Sequence, residues 1–207
     1  MNKTYPTWEL ELNCWGKGCG FIAGIDEAGR GPLAGPVVAS AVILPRNIRI
    51  EDINDSKKLT PKKRDKIFDI IHKEAVDIGV GIVSEKVIDE INILQATILA
   101  MKEAVSTFKC QSPDFLLIDG LNLKEFYVPN RKVIHGDSIS VSIAAASIIA
   151  KVTRDRIMDE LDRIYPEYFF KEHKGYGTRK HCEAIAKYGV TEIHRKTFCR
   201  VKEFVGI

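Results

Sequence analysis

Between Ser142 and Ala150 the chain reads Ser-Ile-Ala-Ala-Ala-Ser-Ile-Ile-Ala, with small residues at most positions and no charge. A helix of this make-up offers no polar face, so it must be enclosed, and its small side chains let its backbone lie close against a sheet. The helical pattern runs from Ser140 to Ile164, and Pro166 lies just past its end. Polar and charged residues take over after Lys151, which predicts that the helix leaves the core there.

The sheet it needs is written in short apolar runs bounded by Gly, Pro or polar residues. Phe21–Ile25 and Pro36–Leu44 are rich in β-branched residues and read as buried strands, as do Asp77–Val83 and Phe115–Ile118, with a short fifth over Lys132–Ile134. Between them, Thr60-Pro61 supplies an N-cap and a proline at the first helical position. The helix it opens runs to about Val76, with Ile67, Ile70, Ile71 and Ala75 on one face. Residues 86–108 carry Ile91, Leu94, Ile98, Met101 and Val105 at core spacing, and a last helix spans Thr178–Lys187. This order predicts a mixed α/β domain with helices on both sheet faces.

At 207 residues and 23.2 kDa the chain can bury one well-packed domain with a small C-terminal appendage. No apolar run approaches the roughly 20 residues needed to span a bilayer. The start, MNKTYPTWELELN, lacks the apolar core of a secretory signal, so a cytoplasmic protein is expected. Cys14 and Cys19 are the one close cysteine pair, with no second pair to complete a zinc site. Reduced thiols are expected, with Cys110 buried.

Charge is unevenly spread. Residues 151–207 hold 13 Lys/Arg against 9 Asp/Glu, a balance of +4, whereas residues 1–150 hold 18 against 19. Arg46, Arg49, Lys57, Lys58, Lys62, Lys63, Arg64 and Lys66 form a second basic concentration. Two such regions suit a polyanion, and two solvated faces would read the same way.

Four acids stand against apolar segments: Asp26 and Glu27 after the first strand, Asp119 after the fourth, and Asp137 just before the small-residue helix. If the strands share a sheet, these acids can converge, and like charges so close would need cations to stay ionised. Oxygen ligands without His or Cys select hard ions, Mg²⁺ or Mn²⁺. Taken singly, each acid has an ordinary alternative: a turn at Asp119-Gly120, a helix cap at Asp137 or Ser138, a solvated strand end at Asp26-Glu27.

Directly after the acidic pair comes Ala28-Gly29-Arg30-Gly31-Pro32-Leu33-Ala34-Gly35-Pro36. Gly29 to Ala34 formally fits the dinucleotide fingerprint, which must open a helix; here Pro36 and a β-branched strand follow, so that reading fails. A glycine-flanked arginine whose backbone a nucleic-acid strand can approach fits better, and backbone groups there could bond a ribose 2′-OH.

The stretch from Gly24 to Ala39, GIDEAGRGPLAGPVVA, resembles the opening signature of type 2 ribonuclease H, called ribonuclease HII in bacteria. Four further stretches are similar to the same family in the same order: Asp55-Ser56-Lys57-Lys58-Leu59; Ile118-Asp119-Gly120; Gly136-Asp137-Ser138 leading into SIAAASIIAKVTRDR; and Lys174-Gly175-Tyr176-Gly177-Thr178. Ile193-His194-Arg195-Lys196-Thr197-Phe198 also fits, while His135 stands where the family pattern has lysine. The resemblance covers about residues 21–205.

It implies an RNase H-like mixed sheet flanked by helices, with a helical C-terminal part. The expected divisions are an N-terminal extension over 1–20, a catalytic core over 21–165 and a substrate-binding helical segment over 166–207 of the same domain. It implies that Asp26, Glu27, Asp119 and Asp137 are catalytic and hold two divalent ions, Mn²⁺ or Mg²⁺. It also implies that Gly29, Arg30 and Gly31 read the 2′-OH through the backbone, that Lys57 or Lys58 contacts phosphate, and that Tyr176 packs on the neighbouring deoxyribose. Read without the family, Tyr176 is a turn aromatic. The implied activity is hydrolysis of the RNA strand of RNA–DNA hybrids and incision 5′ of ribonucleotides in duplex DNA, leaving 5′-phosphate and 3′-OH ends. The implied partner is nucleic acid, with no membrane and a monomeric state.

Overall fold

The computed structural model describes residues 5–46, 48–123 and 126–205. Five strands form one sheet in the order β3-β2-β1-β4-β5: β1 is Ile22–Ala28, β2 Val37–Ile43, β3 Asp77–Val83, β4 Phe115–Asp119 and β5 Asn130–Val133. The first three pair antiparallel as a meander, and β4 and β5 add parallel to β1. Helices cover both faces: α3 (Glu85–Ser106) on one, and α4 (Val141–Ile164) with α2 (Pro61–Glu74) on the other. The mixed α/β architecture with an RNase H-like sheet is therefore as the sequence implied. No helix among the described residues is long and apolar enough to cross a membrane.

Every residue of α4 from Val141 to Ala150 is buried. The reason for small residues on both partners is close approach. A Cβ at Gly24 in β1 would lie 2.1 Å from the carbonyl carbon of Ser142, and one at Gly81 in β3 would lie 2.0 Å from the Ala100 carbonyl oxygen of α3. Both helices thus press their backbones onto the sheet.

Four expectations need correction. The helix α4 does not leave the core after Lys151: Val152, Arg154 and Met158 are buried as well, Val152 in the cluster it shares with Ile67, Phe68 and Ile71, Arg154 against the carbonyls of Ala34, Pro36 and Lys174, and Met158 under the C-terminal segment around Tyr168, Phe170 and Ile185. The helix over 86–108 is broken at Asn92, which has φ +68°. Asn92 Oδ1 accepts from the N–H groups of Leu94 and Gln95 at 3.0 and 3.1 Å, starting a second helical segment. The core face shifts across this break, so Ile91 and Leu94 are exposed while Ile88, Ala96, Ala100 and Ala104 pack inward. Cys110 is exposed; it sits in a turn where the Asp77 carboxylate accepts from the N–H groups of Lys109, Cys110 and Gln111. All five thiols are free.

The front basic concentration is only partly available to a ligand. Arg64 binds the carbonyls of Ser56 and Leu59 and pairs with Asp155, Lys63 pairs with Asp52, and Arg46 lies over Trp15. Residues 9–16 form a short helix, α1, that the sequence did not suggest. The remaining helices are α5 (Phe170–His173), α6 (Arg179–Tyr188) and α7 (Cys199–Val205).

Candidate active site

Strand β1 runs on through Ala28, so Asp26 and Glu27 lie inside it and alternate faces. Asp26 shares the face of Gly24, toward α4, where its ladder partner Ser40 donates to the Ala146 carbonyl at 2.7 Å. Glu27 shares the face of Ala23 and Ile25. Asp119 ends β4, whose parallel register with β1 pairs Ile25 with Ile118, so Asp26 and Asp119 come side by side. Asp137 comes from a 3-10 turn, Gly136–Ser138, between β5 and α4. The Gly136 N–H donates to Asp119 Oδ1 at 2.6 Å, tying the turn to the end of β4.

Oxygens of Asp26, Asp119 and Asp137 all lie within 4.8 Å of one another. The expected meeting of four acids is thus a meeting of three, with the fourth beside them. Glu27 lines a cleft with Asp26, but its Oε1 lies 3.4 Å from Arg30 Nη1 and its Oε2 is buried with no hydrogen-bond partner among the described residues. The two helix-related alternatives for Asp137 fail, since the side chain that caps α4 is Ser140, whose Oγ accepts from Ile143 N at 3.2 Å.

The electrostatics follow from this crowding. Burial, then Glu27 and Asp119, push the Asp26 carboxyl well above the ordinary range. Burial, then Asp55 and Asp119, raise Asp137. Burial raises Glu27, with Arg30 opposing it. Lys57 is the local counterweight: burial pulls its pKa down, but Asp26, Asp137, Asp55 and Asp119 together hold it above the usual lysine value. A cluster of hard oxygen donors, short of positive charge and with one buried oxygen unpartnered, fits divalent cations.

Lys57 and Tyr176 line the cleft together with Gly29, Arg30 and Gly31. Lys58 stays outside it, half exposed, donating to Ser138 Oγ at 2.9 Å. Tyr176 is 47% exposed and stands across from Gly31, where an added Cβ would lie 3.5 Å from its ring.

Sequence reasoning missed the residues that hold this loop. Arg154 of α4, fully buried, donates to the carbonyls of Pro36, Ala34 and Lys174 at 3.0, 3.1 and 2.9 Å. Arg195, equally buried, donates to those of Gly29, Arg30 and Gly35 at 2.6, 3.1 and 2.8 Å. Each guanidinium replaces the hydrogen bonds that a backbone loop would otherwise seek from water. Burial depresses the two to about 10 and about 9, still far above neutrality. Both arginines lie in stretches that resemble the family, but composition and period alone do not separate them from the surface cations around them, so their hold on the loop was not legible.

The sequence profile described as Ribonuclease HII matches residues 23–201. The chain belongs to the ribonuclease HII family. It is 58% identical to the ribonuclease HII of Acetivibrio thermocellus over 97% of this chain and 78% of that one. It is 54% identical to the ribonuclease HII of Acholeplasma laidlawii over 98% of each. An alignment that wide takes in most of residues 1–20, so the N-terminal stretch has counterparts outside the profile's span. The crystal structure of the ribonuclease H2 from Pyrococcus horikoshii OT3 has 29% identity and a TM-score of 0.74, covering 89% of this chain and 97% of that one. Membership makes the chain a nuclease of the ribonuclease H type, a hydrolase with ribonuclease HII-type activity on RNA–DNA hybrids.

Proposed function

We propose that this chain cuts the ribonucleotide-containing strand of a duplex 5′ of the ribonucleotide, including a single one embedded in DNA, and leaves 5′-phosphate and 3′-OH ends. The observation that carries the reading is the meeting of Asp26 with Asp119 and Asp137, where Asp26 also lines a cleft with Glu27, the glycine loop and Tyr176. Asp26, Glu27, Asp119 and Asp137 would hold two ions, Mg²⁺ or Mn²⁺. When bound, such ions supply the charge that makes water a nucleophile at neutral pH and stabilises the leaving 3′-oxygen.

The chain's own groups do the rest. Gly136 N–H and the β1–β4 register keep Asp119 and Asp26 in place. Lys57, held near the acids by its N–H bond to Asp55 Oδ1 at 2.9 Å, meets a phosphate. The carbonyls of Gly29 and Arg30 each have one lone pair engaged by Arg195, and the second remains to accept from a 2′-OH. Tyr176 packs on the adjoining deoxyribose. Residues 166–205 then serve as the substrate-facing segment that carries Tyr176.

The test is cleavage of two matched duplexes, one all DNA and one with a single ribonucleotide, with product ends mapped and EDTA as control. Cutting confined to the ribonucleotide's 5′ side and abolished by EDTA is expected. Equal cutting of the all-DNA duplex, or turnover in EDTA, would refute the reading.

A further inference from the structure

Beneath Tyr176 lie three histidines whose ring protons are fixed by their neighbours. Thr191 N–H donates to His194 Nδ1 at 2.9 Å, so that nitrogen is bare and the proton sits on Nε2. His194 Nε2 is 3.1 Å from His181 Nε2, which must then accept. The proton of His181 is therefore on Nδ1, 3.0 Å from the Tyr176 carbonyl, to which it donates. His173 stacks on His181 at 4.6 Å, accepting from Gly175 N–H at Nδ1 and donating from Nε2 to the Tyr168 carbonyl. The hydrogen bonds run one way, from Thr191 through two neutral imidazoles to Tyr176. Both rings are buried, at 0% and 1% exposure, and burial holds His181 at about 4 and His194 at about 3, so neither carries charge at neutral pH.

The backbone of the same His194 belongs to the other wall of the cleft. It forms an antiparallel bridge with Ala34, flanked by Gly35 N–H to the Ile193 carbonyl and Arg195 N–H to the Leu33 carbonyl, each 2.8 Å. One residue thus joins the glycine loop through its main chain to the Tyr176 segment through its side chain.

We infer that His194 and His181 are positioning residues: their relay sets Tyr176 against the glycine loop and so sets the preference for a ribonucleotide followed by a deoxynucleotide. This rests on the reading of Tyr176 above. A merely structural role is different in kind: His194 would then matter as the acceptor for Thr191 N–H, and His181 as filler under the tyrosine.

Two conservative variants separate these. His194→Asn keeps an acceptor near the Nδ1 position for Thr191 but cannot reach His181. His194→Gln places an amide N–H near the Nε2 position and gives up the bond to Thr191. The readout is kcat/KM on a duplex with one embedded ribonucleotide divided by kcat/KM on a uniform RNA–DNA hybrid, with Tyr176→Ala measured alongside. The relay predicts a ratio lowered about tenfold in His194→Asn, as in Tyr176→Ala, and close to wild type in His194→Gln. If Tyr176→Ala lowers the ratio but the two His194 variants move it together or in the opposite order, the relay is overturned and the tyrosine's role stands. If Tyr176→Ala leaves the ratio unchanged, the reading beneath the inference fails, and the inference with it. Nitrogen-15 NMR of the unaltered protein checks the geometry whether or not the variants fold. It should find His181 protonated at Nδ1 and His194 at Nε2; the reverse tautomers would overturn the relay.

Discussion

Burying Asp26 beside Glu27 and Asp119 is unfavourable for their charges, and Lys57, Arg30 at Glu27 and the Glu27 N–H at Asp26 oppose it in part. Asp137→Asn removes one of these like charges without changing the side chain's size. Its cleavage rate should fall by at least about 100-fold, the usual scale for losing one electrostatic group at a reacting centre, while its melting temperature without metal stays equal or rises. Near-normal cutting would take Asp137 out of the site. The buried imidazoles make a second prediction. An unfolded histidine takes its proton near 6.5, whereas His181 and His194 resist it until about 4 and about 3. Above about 6.5 both states are neutral and the contribution is complete; it is lost as pH falls toward the folded values, by roughly 2 kcal/mol per ring at about pH 5. Urea unfolding should show a steeper loss between neutral and mildly acid pH in the unaltered protein than in the double variant His181→Asn/His194→Gln. Parallel curves would mean that the rings titrate normally when folded.

The first four strands, α2, α4 and α6 were legible from their apolar runs, period or cap, as at Thr60, whose Oγ1 accepts from Lys63 N where the sequence put the cap; the fifth strand, expected over Lys132–Ile134, lies at Asn130–Val133 and leaves Ile134 exposed. The break in α3 was not legible, because Ile91 and Leu94 keep a helical period that the backbone abandons at Asn92. The acids were legible as a set, since each abuts an apolar run. The split between Asp26 and Glu27 was not, because it depends on how far β1 continues. Least legible was α1, whose role is carried by long-range partners. Glu11, fully buried, accepts at Oε1 from Ser140 Oγ, Ser142 Oγ and Ser142 N at 2.5, 2.6 and 3.0 Å. A carboxylate at the start of α4 suits the helix dipole and fixes the end from which Asp137 is presented. Glu11→Ala should lower stability by about 1–3 kcal/mol in thermal or urea unfolding, since it strands buried hydroxyls. No change would show that α1 is dispensable to α4.

For the whole molecule, charge, loop and sheet serve one geometry: a cleft lined by Asp26 and Glu27, by the glycine loop and Tyr176, and by Arg30, Lys57, Lys151 and Arg154. If the cations around the cleft hold phosphates, counterion release makes binding strongly salt-dependent. Affinity for a duplex with one ribonucleotide should drop at least about tenfold between ~50 and ~200 mM salt, and a flat response would assign the basic residues to solvation alone. Arg154 and Arg195 have their N–H groups committed to loop carbonyls, so their part in that attraction is the field of their charges rather than a bond to phosphate. The claim on which all else depends is that the converging carboxylates bind divalent cations. The direct measurement is Mn²⁺ titration into the unaltered protein and Asp137→Asn, following the free-ion EPR signal. Depletion of free Mn²⁺ by the unaltered chain and a much weaker depletion by the variant are predicted; identical isotherms, or no binding by either at millimolar Mn²⁺, would contradict it.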